Sequence, residues 1–208
     1  MKVLGIRSAE QKACDRFLLL WLISKASPLD RWKLQKLPFR AEYELNKERK
    51  RNFNYEFFQY NQGPLSFEAY EDQDALKTLG MISEIVYTNE MTEEGWKFLA
   101  EFDSVTCENK NLLDKIWTSV KHLSAMNSFE LVKDTHKMTV TWKGKTCLLE
   151  DIPPHSIILS QPDHTCLKMD SSTLETLVVL LNPELIEGIR KARREGSRTS
   201  PYKPLVTA

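Results

Sequence analysis

Glycine is scarce in this chain, with seven in 208 residues. That scarcity argues against a glycine-rich phosphate loop and against turn-dense β-sandwiches. No GxGxxG, Walker A, HExxH or GxSxG arrangement is present. The four cysteines (Cys14, Cys107, Cys147 and Cys166) are scattered without a CxxC pair, which suits reduced thiols better than a disulfide framework. His122, His136, His155 and His164 are equally dispersed, and the single His164/Cys166 pair does not make a metal site. Long apolar runs are missing too. Phe17–Ile23 falls far short of the roughly 20 apolar residues of a membrane helix, and Asp15 and Arg16 just before it do not fit a secretory leader. Charge of one sign is also lacking: 29 Lys and Arg balance 29 Asp and Glu. That balance weighs against a dominant nucleic-acid field but leaves room for a local patch. These absences lead to the expectation of a cytoplasmic protein with no catalytic residues, no cofactor, no metal and no membrane segment.

The length suits one full domain with an extension, and 41% hydrophobic content with 28% charge is ordinary for a globular protein. Residues 8–26 read as a helix, with Ser8 as N-cap and Gln11 at the capping-box position. Phe17, Leu18, Leu20, Trp21 and Leu22 make it apolar almost all round, which places it at the centre of the core. Ser27-Pro28 ends it. Asp30 caps a second helix with the stripe Trp32, Leu34, Leu37, Ala41 and Leu45. Pro38 costs about 3 kcal/mol in a helix interior, so a kink or a restart is expected there. Lys47, Arg49, Lys50 and Arg51 form a basic run with two readings, a nucleic-acid contact or a solvated helix end.

Asn54–Tyr60 alternates around Tyr55 and Phe57, as a short strand or extended arm would. Tyr60-Asn61-Gln62-Gly63-Pro64-Leu65-Ser66 reads as a tight turn whose last residue caps a helix over 66–79 through its hydroxyl. That helix carries Phe67, Tyr70, Leu76 and Leu79 and stops at Gly80. A strand over Ile82–Tyr87, a turn at Thr88-Asn89 and a helix capped by Thr92 follow. Asp72, Asp74, Glu93 and Glu94 read as acids suited to helix N-termini. Helices are expected over 106–124 and 128–136. Then come a hairpin turning at Lys143-Gly144-Lys145, a strand at Ile157–Leu159 and a linker over 160–172. Two further helices flank Asn182-Pro183, and the tail with Pro201 and Pro204 is expected to be mobile.

Taken together, Lys33-Leu34-Gln35-Lys36-Leu37, the Tyr60–Ser66 turn and the helix end Leu76-Lys77-Thr78-Leu79-Gly80-Met81-Ile82 resemble the Panacea, or SocA-like, domain. The resemblance covers roughly residues 10–136. Pro38 departs from it, and Asn61-Gln62 interrupt the usual Tyr-Gly-Pro. It implies a mostly helical domain acting as an antitoxin or as a proteolysis-linked adaptor. Residues 173–196 (TLETLVVLLNPELIEGIRKARREG) carry a second resemblance, to the toxin-binding region of Phd/YefM-type antitoxins. It implies a toxin-binding face of Leu174, Leu177, Leu180, Leu181, Leu185, Ile186, Ile189, Arg190, Arg193 and Arg194. Apolar residues at helical spacing would dock in a groove, and the arginines would meet an acidic rim. Residues 66–102 resemble the wing end of winged-helix proteins.

The expected architecture is mainly α with minor β. A helical domain with a short hairpin or wing spans 1–136, a β-containing connector 137–169, and helices with a tail 170–208. The expected function is an antitoxin that neutralises a cognate protein toxin by direct binding. The alternatives are a winged-helix regulator bound to operator DNA and a proteolysis adaptor. Homo-oligomerisation stays open.

Overall fold

Ser8 starts the first helix with a full capping box: Gln11 N–H donates to Ser8 Oγ at 3.2 Å, and Ser8 N–H donates to Gln11 Oε1 at 2.8 Å. The structure is a computed structural model that describes residues 7–196. The tail expected to be mobile lies outside the described residues. The first helix, α1 (Ala9–Ala26), buries every residue from Phe17 to Ile23. A short strand, β1 (Leu29–Asp30), leads into α2 (Arg31–Asn46), capped by Asp30. Pro38 does not restart the chain: α2 runs through it as one element. Ten residues of α2 between Leu34 and Leu45 are buried. Burial on this scale, at 1.5–3 kcal/mol for each large apolar side chain, outweighs the roughly 3 kcal/mol that proline costs.

An extended arm follows α2, with Phe53, Tyr55 and Phe57 all fully buried. Only β2 (Phe57–Phe58) of this arm pairs as a strand. Next come α3 (Phe67–Thr78), β3 (Ile82–Ile85), β4 (Thr88–Met91) and α4 (Glu93–Glu101). The hairpin turns at Val86 and Tyr87, both at positive φ, two residues before the Thr88-Asn89 turn expected from sequence. Asn89 is instead a buried strand residue that donates to the Leu29 carbonyl and accepts from Gln73. The helix expected over 106–124 is split at Asn109 into α5 (Asp103–Glu108) and α6 (Lys110–Ser124). Asn109 turns its amide to the backbone of Val105 and Lys168.

The order then runs α7 (Ser128–His136), β5 (Thr139–Trp142), β6 (Lys145–Leu148), a 3-10 turn (Leu149–Asp151), β7 (Ile157–Leu159), α8 (Ser171–Leu180) and α9 (Pro183–Gly196). The fold is mainly helical with small antiparallel sheets. One sheet has strand order β1-β4-β3, and β2-β7 and β5-β6 are two-stranded pairs. A single core runs from Ala13 to Leu181 and takes in Val140, Leu149, Ile152, Leu159 and Leu177. The segments 7–136, 137–169 and 170–196 therefore share one interior, with β7 paired to β2 and α8 packed on α1. Gly95 sets the entry of α4. A Cβ there would lie 2.2 Å from the Met81 carbonyl oxygen, so only glycine lets α4 approach β3 so closely.

A buried ionic centre ties these elements together. The Asp72 carboxylate of α3 accepts from Arg7 Nη1 at 2.6 Å and Nη2 at 3.2 Å, Arg16 Nε at 3.0 Å and the Tyr55 hydroxyl at 3.0 Å. Arg7 also donates to Asp15, which holds the extended arm through the Asn54 backbone at 2.8 Å. Arg16 reaches the Leu181 carbonyl at 2.6 Å and so fixes the end of α8. Burial, then the Asp72 carboxylate, pushes Asp15 upward against Arg7 and Asn54. Burial, and after it Asp72 and Asp15, holds the Tyr55 hydroxyl protonated far above its ordinary range. Asp72 was read from sequence as a helix-terminal acid, but it lies mid-helix at zero exposure. Removing it takes the ion-pair partner of Arg16 and leaves Arg7 with Asp15 as its buried partner. Asp72→Ala is expected to lower urea-unfolding stability by about 3–5 kcal/mol. Glu71→Ala, whose side chain is 62% exposed, is expected to stay within about 0.5 kcal/mol.

Candidate functional site

Gln35 and Lys36 explain why the Lys33–Leu37 segment and the Tyr60–Ser66 turn belong together. Leu34 and Leu37 face the core, which turns Gln35 and Lys36 toward the loop. The Gln35 amide accepts from Ser66 N–H at 2.8 Å and donates to the Ser66 carbonyl at 3.2 Å. Lys36 Nζ donates to the Pro64 carbonyl at 2.9 Å. The turn closes on itself through Tyr60 and Gly63, with Gly63 at φ +85°. Ser66 occupies the N-cap position, but its hydroxyl does not cap. It donates instead to Glu68 Oε2 at 2.6 Å.

Lys36 is the unusual member of this group. It is 2% exposed, and among the described residues no carboxylate lies within ion-pair distance of it. A Cβ built on Gly63 would sit 3.6 Å from both Lys36 Cε and His136 Nε2, so these two side chains close around the turn. Burial lowers His136 from its ordinary value, and the neighbouring Lys36 cation adds to this. Sequence reasoning treated His136 as an isolated histidine. Its place beside Lys36 arises from the packing of α7 on α2, which no local pattern announces.

The predicted toxin-binding residues separate into two groups. Leu177 and Leu181 are fully buried, with α8 packed on α1, and Leu180 packs against the same core. Leu174 is half-buried. Leu177, Leu180 and Leu181 thus serve the chain's own interior and not an outward face, and Arg16 holds the end of α8 there. On α9, by contrast, no described residue is buried. Leu185 and Ile189 are 44% and 42% exposed, and they share one helical face with Ala192. Ile186 and Arg190 turn instead toward a groove of about 390 Å³ that also takes in Arg194, with Leu79 at the end of α3 on its other side. Arg193 is exposed near the end of the helix.

The predicted nucleic-acid run is mostly neutralised or consumed. α2 ends at Asn46 with Lys47 as its C-cap, and the run continues from there as a turn. Lys47 pairs with Glu44 at 2.7 Å, and Lys50 pairs with Glu48 at 2.9 Å. Arg51 is buried. It bonds Glu42 and the carbonyls of Ser160 and Tyr55, which fixes the extended arm to α2. Arg49 sits at φ 57° in the turn. The winged-helix reading of residues 66–102 needs cations on α3, which lies between β2 and the β3–β4 hairpin. However, the exposed charges of α3 are Glu71 and Asp74, and Lys77 beside them is paired to Glu84. An acidic helix face is repelled by phosphate.

Lys36 makes stability depend on pH. Burial pushes its amine down to about 7 from an ordinary value of 10.5. Between these values the unfolded chain holds a proton that the folded chain has released. Stability therefore rises with pH across this window, and the full cost of a buried cation is present below it. The slope from this one group approaches about 1.4 kcal/mol per pH unit. Lys36→Met is expected to remove that slope and to be the more stable protein at and below neutral pH. Urea midpoints for both proteins, measured across the window, check it.

No family model, no curated protein and no solved structure matches this chain.

Proposed function

We propose that this chain is the antitoxin of a two-gene toxin–antitoxin pair and neutralises its partner by stoichiometric binding through α9. The observation that carries the reading is the state of α9. It presents Leu185 and Ile189 to solvent next to Arg190, Lys191, Arg193 and Arg194, and buries no described side chain of its own. An amphipathic helix of this kind suits a partner with an apolar groove and an acidic rim. The resemblance of residues 10–136 to Panacea domains, and of 173–196 to the toxin-binding region of Phd/YefM-type antitoxins, supports the same reading. Inhibition would be steric, inside the cytoplasm, with no turnover by this chain.

The experiment is co-expression of the full chain with the product of the adjacent gene, with growth as the readout. The neighbour is expected to be toxic alone and harmless with the wild-type chain. Leu185→Asp combined with Ile189→Asp is expected to abolish rescue without altering the fold, since both positions are exposed. Each lost anchor is worth about 2 kcal/mol or more, so together they weaken binding by about a thousandfold. Leu177→Asp makes no valid probe of the interface, because it places a charge in the core and unfolds the chain. Rescue by the double variant would overturn the proposed surface, and a harmless neighbour would overturn the antitoxin reading.

A further inference from the structure

A cleft of about 610 Å³ opens between the start of α2, the 60–64 turn and α7. Its volume falls in the range of small-molecule sites, which runs from about 300 to 1,000 Å³. Trp32, Phe129 and Val132 supply its apolar lining. Phe129 is 74% exposed and Trp32 37% exposed, so both rings reach solvent, with Lys133 Nζ over one face of Phe129 at 5.5 Å from its centroid. Lys133 and Lys137 stand on the same lining, with Glu150 the one carboxylate among the lining residues. Among the described residues neither lysine has an ion-pair partner.

Lys36 provides an independent observation. It lies beneath this cleft: a Cβ built on Gly63 would be 3.6 Å from both Lys36 Cε and His136 Nε2, and Lys36 Nζ is 6.0 Å from the Trp32 ring centroid. Its one hydrogen bond goes to a neutral carbonyl. A buried cation without an anion is costly, and an anion placed near it in a low-dielectric setting is strongly favoured. The cleft therefore combines aromatic walls, two exposed cations and an uncompensated buried cation behind its floor.

We propose that this cleft binds a small aromatic carboxylate, with its ring against Trp32 and Phe129 and its carboxylate toward His136 and Lys36. A single negative charge suits the site better than two, because Glu150 would oppose a second one. This site lies on the α2–α7 side of the fold and does not depend on the role of α9.

Calorimetric titration of the full chain with 4-phenylbutyrate, and with 4-phenylbutanol as its uncharged counterpart, tests the proposal just below neutral pH. Saturable one-to-one binding of the carboxylate is expected, about tenfold or more tighter than the alcohol, as a charge-assisted contact would give. Lys36→Met should reduce that preference to near parity while leaving alcohol binding unchanged. Phe129→Ala, at an exposed position, should weaken both ligands. Lys133→Gln with Lys137→Gln, also exposed, should lower the preference without touching the core, and so tests the charge argument even if Lys36→Met fails to fold. Equal affinity for acid and alcohol, or no saturable binding at millimolar concentration, would overturn the proposal. So would a preference that survives loss of all three lysines.

Discussion

One carboxylate, that of Asp72, sets the arrangement of the fold. It receives Arg7 from ahead of α1, Arg16 from within α1 and Tyr55 from the extended arm. Those three groups have few other ways to be buried. Arg16 then carries the constraint to the end of α8, and Asp15 carries it to Asn54. Apolar burial alone would leave α1 free to rotate, because that helix is apolar almost all round. The ionic centre supplies the direction that its hydrophobic pattern lacks. Glu42 and Arg51 do the same for the arm on the α2 side, where Glu42 also accepts from the backbone of Asn52 and Phe53. Such a centre is a poor source of net stability and a strong source of geometric definition, since any misplacement strands a charge.

Local signals were legible in the sequence to the extent that they are local. The Ser8/Gln11 capping box, the Asp30 and Thr92 caps, and Gly80 after α3 all occur where chain chemistry puts them. The mainly helical class followed from periodicity. Most of what failed was decided by contacts far apart in sequence, the Ser66 cap, taken by Glu68, being a local exception. Asp72 looked like a helix-terminal acid because its partners lie 65 and 56 residues away. Arg51 looked like part of a basic run because Glu42 had no visible claim on it. The β3–β4 turn was misplaced because Val86 and Tyr87 carry none of the usual turn chemistry, while Asn89 does. One signal was available and passed over. Asp15-Arg16 is a charged pair at the edge of a run of buried apolar residues, and charges at such a position need partners elsewhere in the chain.

The candidate surfaces were half legible. Periodicity marks both α8 and α9 as amphipathic, and it cannot say which one closes its own core. Tertiary structure divides them: α8 is spent on α1, and α9 is left with its apolar stripe in water. Likewise, Gln35, Lys36, Gly63 and Ser66 could be singled out in sequence as a constellation. The reason they co-occur is visible only in the contacts. Gln35 takes both backbone groups of Ser66, and Lys36 takes the Pro64 carbonyl. A turn held by two side chains of one helix is fixed in place without a sheet around it.

The same ionic centre bears on what α3 can do. In a winged helix, the helix before the hairpin is the one that enters a DNA groove, and it needs exposed cations there. Here that helix must present Asp72 inward to neutralise Arg7 and Arg16. Its remaining exposed charges are Glu71 and Asp74, and the hairpin tip beside it is Ile85, Val86 and Tyr87, exposed and uncharged. Among the described residues neither surface carries an exposed, unpaired cation. The charges that a DNA-binding use of these elements would need are committed to the interior or reversed in sign. Exposed cations lie instead on α9, beside the end of α3, and on the α7 side of the cleft.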